Sequence, residues 1–302
     1  MADTDISVIG SYLVGMTMRV PRFPASGETI AGHSAVKLHG GKGSNQAVGC
    51  ARLGGRVRFL TALGDDAFGR EALELYKAEG VEHGRILISG DEYTGIGFVI
   101  VDDTGENIIT IDPGANRLIT PAFVDEKWEY IRDCGIIMMQ MEVDTATVAH
   151  VLKRAKEEGI YALLNPAPYS TLPQECWQHV YLATPNEGEM RQILNLPLNA
   201  EAEHHLLARR LHSLGCENIV LTLGSKGAFV SCSNGVQEYI RADEVKAIDT
   251  TGAGDCFSAA LAVSIMNGSS IKEGAEYAVR AAGICVTRYG VIEALPYLHE
   301  IK

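Results

Sequence analysis

No Cys-x-x-Cys pair occurs in this chain, and its seven cysteines, at positions 50, 134, 176, 216, 232, 256 and 285, are scattered and odd in number. That spacing suggests neither a disulfide framework nor a zinc site, and fits reduced thiols in a cytosol. No stretch stays apolar long enough to cross a bilayer, and the N-terminal MADTDISVIG lacks a basic segment followed by an apolar core. A soluble, unprocessed, cytoplasmic protein with no membrane partner is expected. Positive charge is in deficit too: 26 Lys and Arg stand against 38 Asp and Glu, a formal charge of −12. Nucleic acid is held mainly by clustered cations, so no nucleic-acid partner is expected. His204-His205 and His212 have no Cys or carboxylate at ligand spacing and read as a solvated helix face.

What is present is 302 residues, 46% of them hydrophobic, enough for one large α/β domain with a sizeable core. Short β-branched runs alternate with helical patterns, the mark of a mostly parallel sheet flanked by helices. Strand candidates are Ile6 to Ile9, Val57 to Thr61, Gly135 to Met141 (with Met138, Met139 and Met141 buried), Ile160 to Leu164 and Asn218 to Leu223. Val148, Val151, Leu152 and Ala155 keep helical spacing between Asp144, a cap residue, and Gly159, a stop. Residues 12–40 and 92–113 break this rhythm. Within the second, Gly97 to Val101 and Asn107 to Ile111 flank the turn Asp102-Asp103-Thr104-Gly105-Glu106, a hairpin, and the two regions together would form a small β-sheet standing over the main one as a lid.

Two glycine-rich turns carry the chemistry. Asp249-Thr250-Thr251-Gly252-Ala253-Gly254-Asp255 opens a helix with Phe257, Ala260, Leu261, Ser264 and Ile265 on one face. Unpaired N–H groups and a dipole end there would meet a phosphate, and Asp255 could take the proton of a hydroxyl aimed at it. The other reading is an ordinary glycine turn in which Asp255 serves the helix dipole. Gly40-Gly41-Lys42-Gly43-Ser44-Asn45-Gln46 also leads into a helix, ending near Leu53-Gly54, but Gly43 after Lys42 rules out a Walker A loop. It reads either as a structural turn or as a loop whose glycines let backbone approach a ligand, with Lys42 and Asn45 donating to hydroxyls. A dinucleotide fingerprint is missing from Gly10-Ser11-Tyr12-Leu13-Val14-Gly15.

The two turns resemble the signature regions of the ribokinase (PfkB) family of carbohydrate kinases. The resemblance extends through ten ordered stretches: Ile9-Gly10-Ser11, Pro24 to Thr29, Gly40 to Gln46, Gly64 to Gly69, Asp112 to Asn116, Gln140-Met141-Glu142, Asn165 to Pro168, Thr184 to Glu187, Thr222-Leu223-Gly224 and Asp249 to Asp255. It implies a ribokinase-like fold in a single domain over 1–302 and ATP-dependent phosphorylation of the primary hydroxyl of a small sugar such as D-ribose or a related pentose or deoxysugar. Asp255 would be the base, Gly252, Ala253 and Gly254 the anion hole, and Gly41, Lys42, Gly43, Asn45, Glu142 and Asp255 would hold the sugar. Asn186, Thr222, Gly224, Ser225, Gly227 and Gly254 would contact ATP. Asn186 and Glu189 would organise Mg²⁺ through water. A monovalent cation, K⁺, would lie by Asp249 and Thr251 with carbonyls of Cys285, Arg288 and Gly290, and family members pair as homodimers through the lid.

Two departures stand out. Leu13 and Gly15 replace the Asn and Asp that ribokinases use on sugar hydroxyls, which points to a less polar wall, lined by Tyr12, Met16 or His39 and suited to a deoxysugar, a substituted sugar or a nucleoside. A neighbouring side chain or water taking over those contacts would leave ribose as the substrate. Ala294 stands where a Ser oxygen is usual, so cation activation would be weaker. The competing classes are a nucleoside kinase of the same fold and a sugar- or nucleotide-binding protein that has lost efficient catalysis.

Overall fold

The computed structural model describes residues 5–199 and 202–301. Met1 to Thr4, on which part of the N-terminal reading rests, lie outside them, as do Ala200, Glu201 and Lys302. Eight strands form the main sheet in the order Gln237–Ile240, Ala228–Cys232, Asn218–Thr222, Leu182–Ala183, Tyr161–Leu164, Ile136–Met139, Asp5–Ile9 and Arg56–Leu60. The last six run parallel, and the first two add an antiparallel edge. The parallel strands are largely apolar because helices cover both faces; Ile6, Val8, Ile136 and Met138 join one core cluster while Ile9, Ile137 and Met139 join the other.

Asp144 caps the Thr145–Glu157 helix by accepting from the Ala146 N–H, and Gly159 beyond its end takes φ +72°. The expected one-sided helix after Gly254 is different. Ala253–Met266 is buried almost all round, from Asp255 through Val263, because it is packed between the Lys42–Arg52 and Ile271–Cys285 helices as well as against the sheet. His212 also departs from the expected solvated face: its ring nitrogens meet the Cys216 carbonyl and Ser231 Oγ at 2.8 and 2.9 Å.

The second sheet has four strands, ordered His33–Gly40, Leu13–Val20, Ile96–Asp102 and Asn107–Asp112. Its outer pairs are antiparallel hairpins, and its two central strands join them in parallel. Side chains alternate across it: Val14 and Met16 pack on the core, so Leu13 and Gly15 project from the opposite side, where Gly97 lies level with Gly15. Leu13 is 8% exposed yet belongs to neither core cluster.

Candidate active site

In open parallel sheets, side chains beyond the carboxyl ends of the strands converge on one crevice. Here those ends deliver Gly10-Ser11 after Ile9, Gln140 to Glu142 after Met139, Asn165 after Leu164, Asn186 shortly after Ala183, and Gly224 after Thr222. Two helices, Lys42–Arg52 and Ala253–Met266, begin at the same place.

Asp255, 3% exposed, lies in the first turn of the second helix. Asn45 Nδ2 donates to its Oδ2 at 2.8 Å and Gln46 Nε2 to its Oδ1 at 3.0 Å, both from the first turn of the other helix. Glu142 accepts from Ser11 Oγ at 2.5 Å and from the Lys42 backbone N–H at 2.8 Å, which fixes the loop to the end of the first strand. Lys42 is half-buried beside carboxylates. The charge of Asp255, with lesser help from Glu142 and Glu189, raises the Lys42 ammonium above its usual value despite burial. Burial raises the carboxyls of Glu142 and Glu189, and the Lys42 charge opposes it. One cation thus faces three acids, of which Asp255 is buried and Glu142 and Glu189 are half-buried.

The two glycine turns are built for different reasons. Gly41 has φ +88°, and a Cβ on it would lie 2.7 Å from Leu13 N and Tyr12 Cα; a Cβ on Gly43 would lie 2.6 Å from the Gly10 carbonyl carbon. These glycines let the loop press on backbone, so the expected ligand approach is not what requires them. Gly252 also has positive φ, +77°, and is crowded by Val291 Cγ1, whereas around Gly254 nothing comes within 4 Å of a would-be Cβ. The Gly254 Cα thus borders open space, while the neighbouring Ala253 N–H donates to the Thr250 carbonyl at 3.3 Å.

Among the residues expected to meet ATP, Asn186 caps the Glu187–Ile193 helix: its Oδ1 accepts from the Glu189 N–H and Glu189 Oε2 accepts from the Asn186 N–H, both at 2.8 Å. The Asn-x-x-Glu pattern is thus a capping box whose acid also lies close enough to feel the charges of Lys42 and Asp255. Asn186 bridges Thr222, and Gly224 and Ser225 are exposed in a short turn that Gly227 closes at φ +97°. At the expected cation position, Asp249 Oδ1 accepts from the Thr251 N–H at 2.9 Å and Oδ2 from the Gly290 N–H at 3.3 Å. The Cys285 carbonyl accepts from the Arg288 N–H at 3.1 Å, and Ala294 is buried. Among the described residues no three His, Cys, Asp or Glu side chains group tightly enough to hold a metal ion unaided.

Sequence reasoning gave no role to Ser11, Gln46, Gln140 and Asn165, although they lie within the stretches that carry the resemblance; their side chains bind one another or the named residues. It misplaced Tyr12, which is fully buried, packs edge-on against Tyr76 and shares a 2.7 Å hydrogen bond with His39 Nδ1, so it cannot line a sugar pocket.

Comparisons with known proteins agree with one another. Residues 3–298 match the pfkB family carbohydrate kinase profile. A ribokinase of Schizosaccharomyces pombe is 36% identical over 98% of this chain and 96% of its own length, and a deoxyribokinase of Salmonella typhimurium is 31% identical over 99% and 97%. The structure of Arabidopsis thaliana ribokinase complexed with ribose and ATP is similar at a TM-score of 0.92 and 30% identity, covering 99% of this chain and 97% of that one. With the profile spanning nearly its whole length and these relatives matching end to end, the chain belongs to the pfkB family of carbohydrate kinases.

Proposed function

We propose that this carbohydrate kinase moves the γ-phosphoryl group of ATP onto the primary hydroxyl of a pentose, ribose or its 2-deoxy form, with Asp255 as general base. The observation that carries the reading is the Asp255 carboxylate, buried at a helix N-terminus, held by Asn45 and Gln46, one residue after the open Gly254 turn. In the step, the hydroxyl proton passes to Asp255 while the sugar oxygen bonds to phosphorus. The bond from phosphorus to the β,γ-bridging oxygen breaks, and ADP leaves with its electron pair. Gly252, Ala253 and Gly254 N–H groups meet the charge on the transferring group. Gly41, Lys42, Gly43, Asn45 and Glu142 hold the sugar, and Asn186, Thr222, Gly224, Ser225 and Gly227 the nucleotide. Asn186 and Glu189 would hold Mg²⁺ through water, where it would supply countercharge to the phosphates. K⁺ would lie at Asp249 and Thr251 with the Cys285, Arg288 and Gly290 carbonyls, weakened by Ala294.

Relatives named ribokinase and deoxyribokinase support a pentose. The end of the small sheet nearest the site offers Leu13, Gly15 and Gly97, none able to bond a hydroxyl, which supports the deoxy form. We read the whole chain as one domain with the small sheet as its lid, closing to keep water from ATP. Phe98, Ile108, Ile109 and Ile111 stay half exposed on that sheet, which supports a homodimer through it. No helix among the described residues is long and apolar enough to cross a membrane. All seven cysteines are free thiols, which supports work in the cytoplasm. ADP release with Mg²⁺ and K⁺ on ribose, 2-deoxyribose, other sugars and nucleosides tests the reading. Turnover on a pentose that falls at least a thousandfold in Asp255→Asn is expected, roughly the worth of a general base; turnover surviving that change, or nucleosides preferred, would overturn it.

A further inference from the structure

Asp255 is met by two side-chain amides, and they are not equivalent. Gln46 Nε2 has two hydrogens, one aimed at Asp255 Oδ1 and one at Asn165 Oδ1 at 3.2 Å. Its Oε1 accepts from Gln140 Nε2 at 2.6 Å, although Gln140 Oε1 is itself buried and meets no hydrogen-bond partner among the described residues, so the orientation of Gln46 is set by Asp255 and Asn165. Asn165 is itself fixed, since its Nδ2 donates at 3.1 Å to the Thr184 carbonyl, which can only accept. The chain of amides therefore runs from one obligate acceptor, Thr184 O, to Oδ1 of Asp255, which accepts from Gln46. Neither Gln46 nor Asn165 can turn over without setting donor against donor or acceptor against acceptor in a fully buried place. Asn45 lacks this bracing: beyond its bond to Asp255, its Oδ1 is buried and meets no hydrogen-bond partner among the described residues.

We propose that Gln46, braced by Asn165 and Gln140, is a positioning residue that keeps Oδ1 of Asp255 occupied and reserves Oδ2 for the proton taken from the substrate. An O–H on Oδ1 would point at a fixed N–H. An O–H on Oδ2 meets Asn45, whose amide is free to turn its oxygen toward it. The inference rests on Asp255 being the base. The charges facing Asp255 are Lys42, Glu142 and Glu189, with the thiols of Cys256 and Cys285 beside it, and none of them is altered by changes at Gln46 or Gln140.

The test is steady-state kinetics of Gln46→Met and Gln140→Leu across pH, with ATP affinity and thermal midpoints measured alongside. Gln46→Met should lower kcat about ten- to a hundredfold, the scale of a misplaced catalytic group, leave the KM for ATP unchanged, and move the acid side of the kcat/KM profile to higher pH. Gln140→Leu should move the profile the same way with a loss of only several-fold. An unmoved profile in both variants, whatever happens to kcat, would reduce Gln46 to a packing residue and overturn the proposal. Where Gln46→Met fails to fold, the Gln140→Leu profile decides alone. Asp255→Asn separates the two readings: if it stays active, the general-base reading falls and takes this one with it, whereas an inactive Asp255→Asn beside unchanged Gln46 and Gln140 profiles removes only the positioning role.

Discussion

Gly43 and Gly254 stand in turns that look alike as sequence, small residues opening a helix, yet their surroundings are opposite. The space beside Gly43 is filled by the Gly10 backbone, and the space beside Gly254 is empty. One glycine serves the fold and the other leaves room for something the chain does not contain. A glycine motif alone therefore does not locate a ligand; the neighbour of the missing Cβ does.

The contrast can be broken most sharply at Gly43. Gly43→Ala forces backbone apart, and a loss of about 3 kcal/mol is expected, at the upper end of overpacking costs, read as a lowered urea midpoint. Unchanged stability would mean that the loop yields freely. Gly254→Ala should do the reverse, holding or raising stability by up to about 1 kcal/mol through better helix propensity while raising the KM for ATP or lowering kcat about tenfold, a methyl in the path of a phosphate. If its kinetics are unchanged, the empty space is not a ligand path. Gly15→Asp probes the apolar end of the small sheet, where a Cβ meets only the Leu38 carbonyl at 3.6 Å. It should shift the kcat/KM ratio toward ribose over 2-deoxyribose by about tenfold, the worth of one hydrogen bond to a hydroxyl.

The smallest effect concerns pH. Arg288 hydrogen-bonds Glu300 twice and holds its carboxyl at about 2, below its usual 4.5, in the segment against which Gly252 leans. A lowered carboxyl stabilises the fold above its usual range and loses that contribution as pH falls from about 4.5 through about 2. The side chains are 34% and 27% exposed, and solvent still screens the pair, so no more than about 1 kcal/mol is at stake. Thermal melts of Glu300→Gln and the parent should differ slightly at pH 6 and converge near pH 2.

Most of the architecture was legible because apolar runs and caps report backbone geometry directly. Asp144, Gly159 and the 102–106 turn fall where their chemistry places them. Leu182–Ala183 was not legible, since two residues carry no period, nor was the antiparallel edge of Ala228–Cys232 and Gln237–Ile240. At the site, Asp255, Lys42 and Asn45 came from the two glycine turns and Glu142 from motif resemblance, and they do converge. Gln46, Gln140 and Asn165 stand in the matching stretches, but their role was not legible because a buried amide has no periodic signature: only its partners, 19 to 209 positions away, reveal it.

The bond from Asn45 to Asp255 spans 210 positions. On the ribosome the first helix emerges roughly 10 to 40 s before its partner at 5–20 residues per second, with Asn45 and Gln46 still lacking their acceptor. A nascent chain cut short anywhere before the last helices has no active site at all, and the cell gains a kinase only when synthesis is nearly finished.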